Sequence, residues 1–161
     1  MFRLPKLRGR FAAGRRAHAP TNVGVIHGVW GEEIAAEVLR RKGYKIVARN
    51  VRPCAWDRRL EIDLIAYDRE AEAITFVEVK QHAHHVEGET RLRSVNARKK
   101  RLLQQASSAW IRQQDWTGNY RFDVIEVYGE PGHGEVEVDH IRHVNLFVTP
   151  RQAVTWDYEE V

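Results

Sequence analysis

The sequence predicts an α/β domain in which helices flank a central mixed sheet. Three observations carry that expectation. Apolar residues recur at helical spacing in two separate stretches, the run from Ile74 to Val79 is almost continuously apolar, and the element order reads helix, three strands, helix, two strands. A chain of 161 residues, 43% of them hydrophobic, can bury one core and gives no reason to expect a second domain.

Gly, Pro and Arg dominate residues 1–28 without periodicity, so a flexible basic leader is expected there. A folded domain is expected over residues 29–148 and a C-terminal tail over 149–161. The first helix is placed at residues 31–42, where Ile34, Ala35, Val38 and Leu39 form an apolar stripe and Gly43 supplies the stop. A strand follows over residues 44–49. Pro53 ends it, and residues 58–68 read as a second strand with Ile62 and Leu64 on one face and Glu61, Asp63 and Ile65 on the other. The third strand, residues 73–80, carries Ile74, Phe76, Val77 and Val79, a run suited to the middle of a sheet covered on both faces. Residues 82–93 are polar and read as a loop. Ser94 can cap a second helix whose buried stripe is Leu102, Leu103, Ala106 and Trp110. Residues 122–128 form a fourth strand, the glycine-rich stretch 129–134 a turn, and residues 135–147 a last strand or strand pair.

The net charge of +4 is uneven: Arg3, Lys6, Arg8, Arg10, Arg15 and Arg16 stand in the leader with no acid among them, so the remainder is slightly acidic. A solvated leader and a nucleic-acid contact both account for that charge. Cys54 is the one cysteine, which excludes an internal disulfide and a thiolate metal centre and suits a reducing cytoplasm. No secretory h-region is visible, and no run approaches the roughly 20 apolar residues that cross a bilayer, so no membrane partner is expected.

Chemistry enters with charges in apolar strands. Glu78 and Lys80 are two apart in the third strand, so both side chains leave on one face. A bare charge in a covered sheet costs several kcal/mol, so each needs a partner or a cation. A structural ion pair satisfies that need. Asp63 adds a second solution, because an antiparallel neighbour brings it beside Glu78, and two adjacent carboxylates are relieved by a hard divalent cation such as Mg2+ or Mn2+. Such an ion activates water and polarises phosphate while an ammonium stabilises the charge that develops, which is the chemistry of phosphodiester hydrolysis.

The pattern of Asp63, a short hairpin and Glu78-Val79-Lys80 resembles the PD-(D/E)xK nuclease signature. Six stretches extend the likeness: Gly31-Glu32-Glu33-Ile34-Ala35-Ala36, Gly43-Tyr44-Lys45-Ile46, Glu61-Ile62-Asp63-Leu64-Ile65, Phe76-Val77-Glu78-Val79-Lys80, Arg121-Phe122-Asp123-Val124-Ile125 and Val144-Asn145-Leu146-Phe147. In that order, over about residues 28–148, they resemble the YraN-like family, a bacterial family of unassigned role regarded as endonuclease-like and similar in fold to archaeal Holliday-junction resolvases. The resemblance implies a restriction-endonuclease-like three-layer α/β/α fold, Asp63 and Glu78 as metal ligands, Lys80 as the catalytic lysine, and a further acid on the first helix. Of the two acids there, Glu32 borders the apolar stripe and Glu33 lies nearly opposite it, so Glu32 is the catalytic and metal-ligand candidate. An interaction with the helix N-terminus is its alternative role. The chain departs from the family at Leu60, where glycine is usual, and at Gln81-His82, where Thr-Arg is usual; neither departure removes a ligand.

Glu61 and Gln81 are accessory candidates, Glu61 with a salt bridge as its alternative. His82, His84 and His85 suggest a solvated loop more than a zinc site, since no fourth ligand accompanies them. Arg91, Arg93, Arg98 and Lys99 are the nucleic-acid-binding candidates in the basic stretch after the third strand, with a solvated helix face as the alternative. The expected function is a cytoplasmic Mg2+- or Mn2+-dependent endonuclease acting on DNA, including branched DNA, as a homodimer if it works as resolvases do. A catalytically silent nucleic-acid-binding or assembly module is the second class, and a protein-binding scaffold using Trp110, Trp116 or Trp156 is the third.

Overall fold

The structure, a computed structural model, describes residues 23–84, 97–146 and 158–159. Helix α1 (Val23–Arg41) leads into strands β1 (Lys45–Val51), β2 (Ile62–Asp68) and β3 (Ala73–His82); helix α2 (Ala97–Gln113) follows, then β4 (Asn119–Glu130), β5 (His133–Ile141) and the two-residue β6 (Tyr158–Glu159). The strands form one sheet in chain order, antiparallel at every junction except β3 with β4, which run parallel. A parallel pair needs a crossover, and α2 lies within it.

The two helices cover opposite faces. Ala35, Ala36 and Leu39 of α1 pack on Leu64, Ala66, Val77, Ile125 and Val127. Leu103, Ala106, Ala109 and Trp110 of α2 pack on Ile65, Ile74, Phe76, Phe122 and Val124. Neighbours Phe76 and Val77 of β3 therefore serve different layers, and the expected three-layer α/β/α architecture with a central mixed sheet is present. The α2 face is the more aromatic: Phe76 meets Trp110 edge-on at 5.5 Å and stacks on Phe122 at 5.6 Å. The α1 face depends on close approach. A Cβ on Gly31 would stand 3.0 Å from the Cβ of Gln81, so glycine lets the helix reach the end of β3.

Several boundaries differ from the sequence expectation. Helix α1 begins at Val23, inside the stretch assigned to the leader, despite the weak helix propensity of Gly24 and Gly28; Trp30, packed on the α1-side core, anchors the turn before Gly31. Strand β2 begins at Ile62; residues 52–61 form a braced loop instead, with Asp57 accepting bonds from the backbone and side chain of Arg59 and with Cys54 and Leu60 buried in the α2-side core. His82 is the last residue of β3, not part of a loop. Strand β5 ends at Ile141, and the tail contributes β6. Residues 1–22, the part of the 82–93 loop from His85 on with Arg91 and Arg93, the Ser94 cap and Trp156 lie outside the described residues.

Candidate metal and nucleic-acid site

The site forms where β2 starts and β3 ends. Leu64 pairs with Val77 in the antiparallel register, so one step further Asp63 stands across from Glu78. The Val79 N–H donates to Asp63 Oδ2 at 2.8 Å and fixes the carboxylate against β3. The Glu78 side chain is 1% exposed, with Lys80 Nζ 2.8 Å from Oε1 and Lys99 Nζ 3.0 Å from Oε2. The predicted trio of Asp63, Glu78 and Lys80 is thus assembled on the α2 face of the sheet. Burial, and after it the Glu78 charge, push the Asp63 carboxyl up to about 7 against the opposing Val79 N–H and Lys99 ammonium.

Glu32 is half-buried and accepts a bond from Asn50 Nδ2 at 2.9 Å; Glu33 is exposed and held by the Arg49 guanidinium. Burial raises the Glu32 carboxyl and the nearby Glu61 charge adds to the rise, against the Asn50 bond. Asn50 itself has a φ of 49°, a left-handed conformation asparagine tolerates better than most residues. Glu61 pairs with Arg52 at 2.9 Å, the salt bridge that was its alternative role. Gln81 is turned away: its amide donates to the Gly129 carbonyl at 2.6 Å and its stem faces Gly31, so it braces α1 on the sheet. Among the described residues no three or more His, Cys, Asp and Glu side chains are gathered closely enough to hold a metal ion together. Asp63 and Glu78 remain a two-carboxylate pair, with Glu32 bonded elsewhere.

Of the basic candidates, Arg98 is exposed in the first turn of α2, whereas Lys99 turns inward to Glu78. Lys99 therefore belongs to the carboxylate site itself. Sequence reasoning also missed the extension of this face across β4. Lys80 is in register with Glu126 and His82 with Tyr128. Glu126 is 2% exposed and accepts the Tyr128 hydroxyl at 2.6 Å, while the His82 and Tyr128 rings stack at 5.1 Å. The signal was in the alternation of Phe122, Val124, Glu126 and Tyr128, all on the face of Glu78. The 52–61 loop presents Trp56 at 86% exposure.

Comparison with known proteins agrees with this frame. The family described as "Uncharacterised protein family UPF0102" matches residues 31–127, a span that includes Glu32, Asp63, Glu78, Lys80, Lys99 and Glu126. A UPF0102 protein of Nocardia farcinica is 40% identical over 119 residues, covering 73% of this chain and 87% of its own. One of Chlorobaculum tepidum is 39% identical over 121 residues, covering 71% and 88%. Another, of Symbiobacterium thermophilum, is 42% identical over 102 residues, covering 63% and 80%.

Proposed function

The chain belongs to the uncharacterised protein family UPF0102, and from that premise we propose a divalent-metal-dependent endonuclease that hydrolyses phosphodiester bonds in DNA, with branched or otherwise structured DNA as its substrate class. One observation carries the reading: the buried Glu78 lies beside Asp63 at the end of a central strand, with the Lys80 ammonium 2.8 Å from it. The donor set suits Mg2+ or Mn2+, since it offers carboxylate oxygens and neither thiolate nor imidazole. Asp63 and Glu78 would hold the ion, Glu32 would complete the acid set, and waters would fill the remaining positions, as magnesium tolerates. When bound, the cation supplies Lewis acidity toward phosphate and lowers the pKa of its water. Lys80 keeps donors beyond the one engaged by Glu78 and offers them to the attacking water or to the oxygen on which charge builds. Arg98 supplies phosphate positioning at the start of α2. The protein is taken to be a cytoplasmic homodimer in this reading; among the described residues no helix is long and apolar enough to cross a membrane.

One observation favours a second reading. Glu78 already has an ammonium near each oxygen, and among the described residues no third acid is gathered with Asp63 and Glu78 while Glu32 stays bonded to Asn50, so the ion network also suits a catalytically silent nucleic-acid-binding or assembly module. Thermal melting and cleavage together separate the two. For the enzyme, millimolar Mn2+ raises the Tm of the wild type and of Lys80→Ala by mass action, but not that of Asp63→Asn. Cleavage of a flap or four-way junction then falls by about 100-fold or more in Lys80→Ala, as when a charge-stabilising donor is removed. A wild type that binds DNA with neither thermal response nor cleavage is the silent module.

A further inference from the structure

Lys99 stands where a resident surface lysine is least expected. It is the third residue of α2, a helix with no acidic residue in its first turn, and a cation there opposes the positive end of the helix dipole. Its side chain nevertheless turns inward, 27% exposed, to a carboxylate that is 1% exposed. With Lys80 on the other oxygen, Glu78 and Asp63 contribute two negative charges when ionised and the lysines two positive ones. A divalent cation that takes Glu78 must share its two oxygens with both ammoniums, and cations crowded around one buried carboxylate repel one another.

One ammonium must therefore leave, and the two lysines are not equally free to do so. Lys80 sits on the same strand as Glu78, two residues along, in a stretch held in register by β4. Lys99 reaches the carboxylate from another layer, on a flexible four-carbon stem, beside Arg98, Lys100 and Arg101 at the end of α2 nearest the site. We propose that Lys99 is a placeholder for the metal: it holds Glu78 while the site is metal-free, yields that carboxylate oxygen to the arriving cation, and then carries its ammonium to a phosphate of the bound nucleic acid. The proposal rests on the metal-dependent reading and adds a regulated order to it, since phosphate capture by Lys99 follows metal entry.

The test uses the full-length protein with Lys99→Met, Lys99→Gln and Lys99→Arg, each checked for folding by circular dichroism. Lys80 remains on Glu78 in all of them. In calorimetric titration with Mn2+ and no DNA, the two uncharged variants are expected to bind at least about tenfold more tightly than wild type, because a competing charge has been removed, while Lys99→Arg stays near wild type. DNA binding adds a second readout. In Ca2+ the salt dependence of wild-type binding should be steeper than that of Lys99→Met by about 0.9 in log–log slope, one phosphate contact, and in EDTA the two slopes should coincide. Wild type binding Mn2+ with the uncharged variants no tighter overturns the placeholder and leaves the metal reading intact. A slope difference that persists in EDTA also overturns it. If neither wild type nor the uncharged variants bind Mn2+, the metal-dependent reading fails and takes this proposal with it.

Discussion

Burial and the neighbouring Glu78 charge hold the Asp63 carboxyl at about 7 against an ordinary 3.8, and the sign of the shift sets how stability follows pH. At pH values below the ordinary one the proton is bound in both states and nothing is lost. Between the two values the unfolded chain ionises while the folded one stays protonated, so stability falls as pH rises; above the upper value the loss is complete. Its upper bound is on the order of 4 kcal/mol. In chelator, urea denaturation should show wild type losing stability relative to Asp63→Asn between about pH 4 and pH 7 and no further above that. A constant difference across this window contradicts the raised carboxyl. The two helix acids separate just as cleanly. Glu32→Gln should lower cleavage, whereas Glu33→Gln removes a surface pair with Arg49 worth at most about 1 kcal/mol and should leave the rate unchanged. The reverse result would refute the assignment. Asp63, Glu78 and Lys80 are legible in the sequence because alternation fixes a shared face and an apolar background makes each charge conspicuous. Glu126 is not, because Asp123 lies three residues earlier in the same strand on the opposite face, and only the register with β3 says which acid meets Lys80.

Among the elements, α2 shows what a helical pattern resolves and what it leaves open. Its stripe of Leu103, Ala106 and Trp110 is buried as periodicity implies. The basic run at its start is uniform in sequence, yet at about 100° per residue neighbours diverge, so Lys99 enters the site while Arg98 remains in solvent. Arg98→Ala should therefore weaken binding to every DNA sequence alike and reduce the salt slope by about 0.9, leaving the thermal response to Mn2+ unchanged. Sequence-selective loss, measured by competition between unrelated duplexes, would count against phosphate positioning. The early part of α1 and the late start of β2 escape the sequence for opposite reasons. Two glycines conceal a helix held by its apolar residues, and an apparent strand is interrupted by a loop whose Asp57–Arg59 contacts are visible only in three dimensions.

At the scale of the whole molecule, the order of elements follows from the sequence, while the second buried charge network does not. On the α1 face, toward the far end of the sheet from the carboxylate pair, Arg121 reaches Asp68 at 2.9 Å, Asp123 at 3.1 Å and the Tyr44 hydroxyl at 2.8 Å, and His140 Nε2 lies 3.0 Å from Asp123. The network ties β2, β4 and β5 to Tyr44 just before β1, which makes the Arg121-Phe122-Asp123 stretch structural. Burial favours a neutral Asp123, but the His140 bond and the Arg121 guanidinium outweigh it and hold the carboxyl below its usual range; Asp68 is likewise held low. Groups depressed in this way stabilise the fold above the ordinary carboxylate range and lose that effect as pH falls through their lowered values. Asp123→Asn should cost about 3–5 kcal/mol at neutral pH and reduce the steepness of acid unfolding, measured by denaturant titration at stepped pH; equal acid sensitivity in the two proteins would remove the network from that role. The single parallel junction has a consequence in time. A ribosome making this chain completes β3, with Glu78 and Lys80 already in place, before α2 and β4 exist. At roughly 5–20 residues per second the apolar edge of β3 waits on the order of seconds for its partner. The newborn chain thus has its carboxylates early but lacks Lys99 and the wall of β4, so the carboxylate site is complete only when the second half has docked, and until then that apolar edge is open to wrong partners.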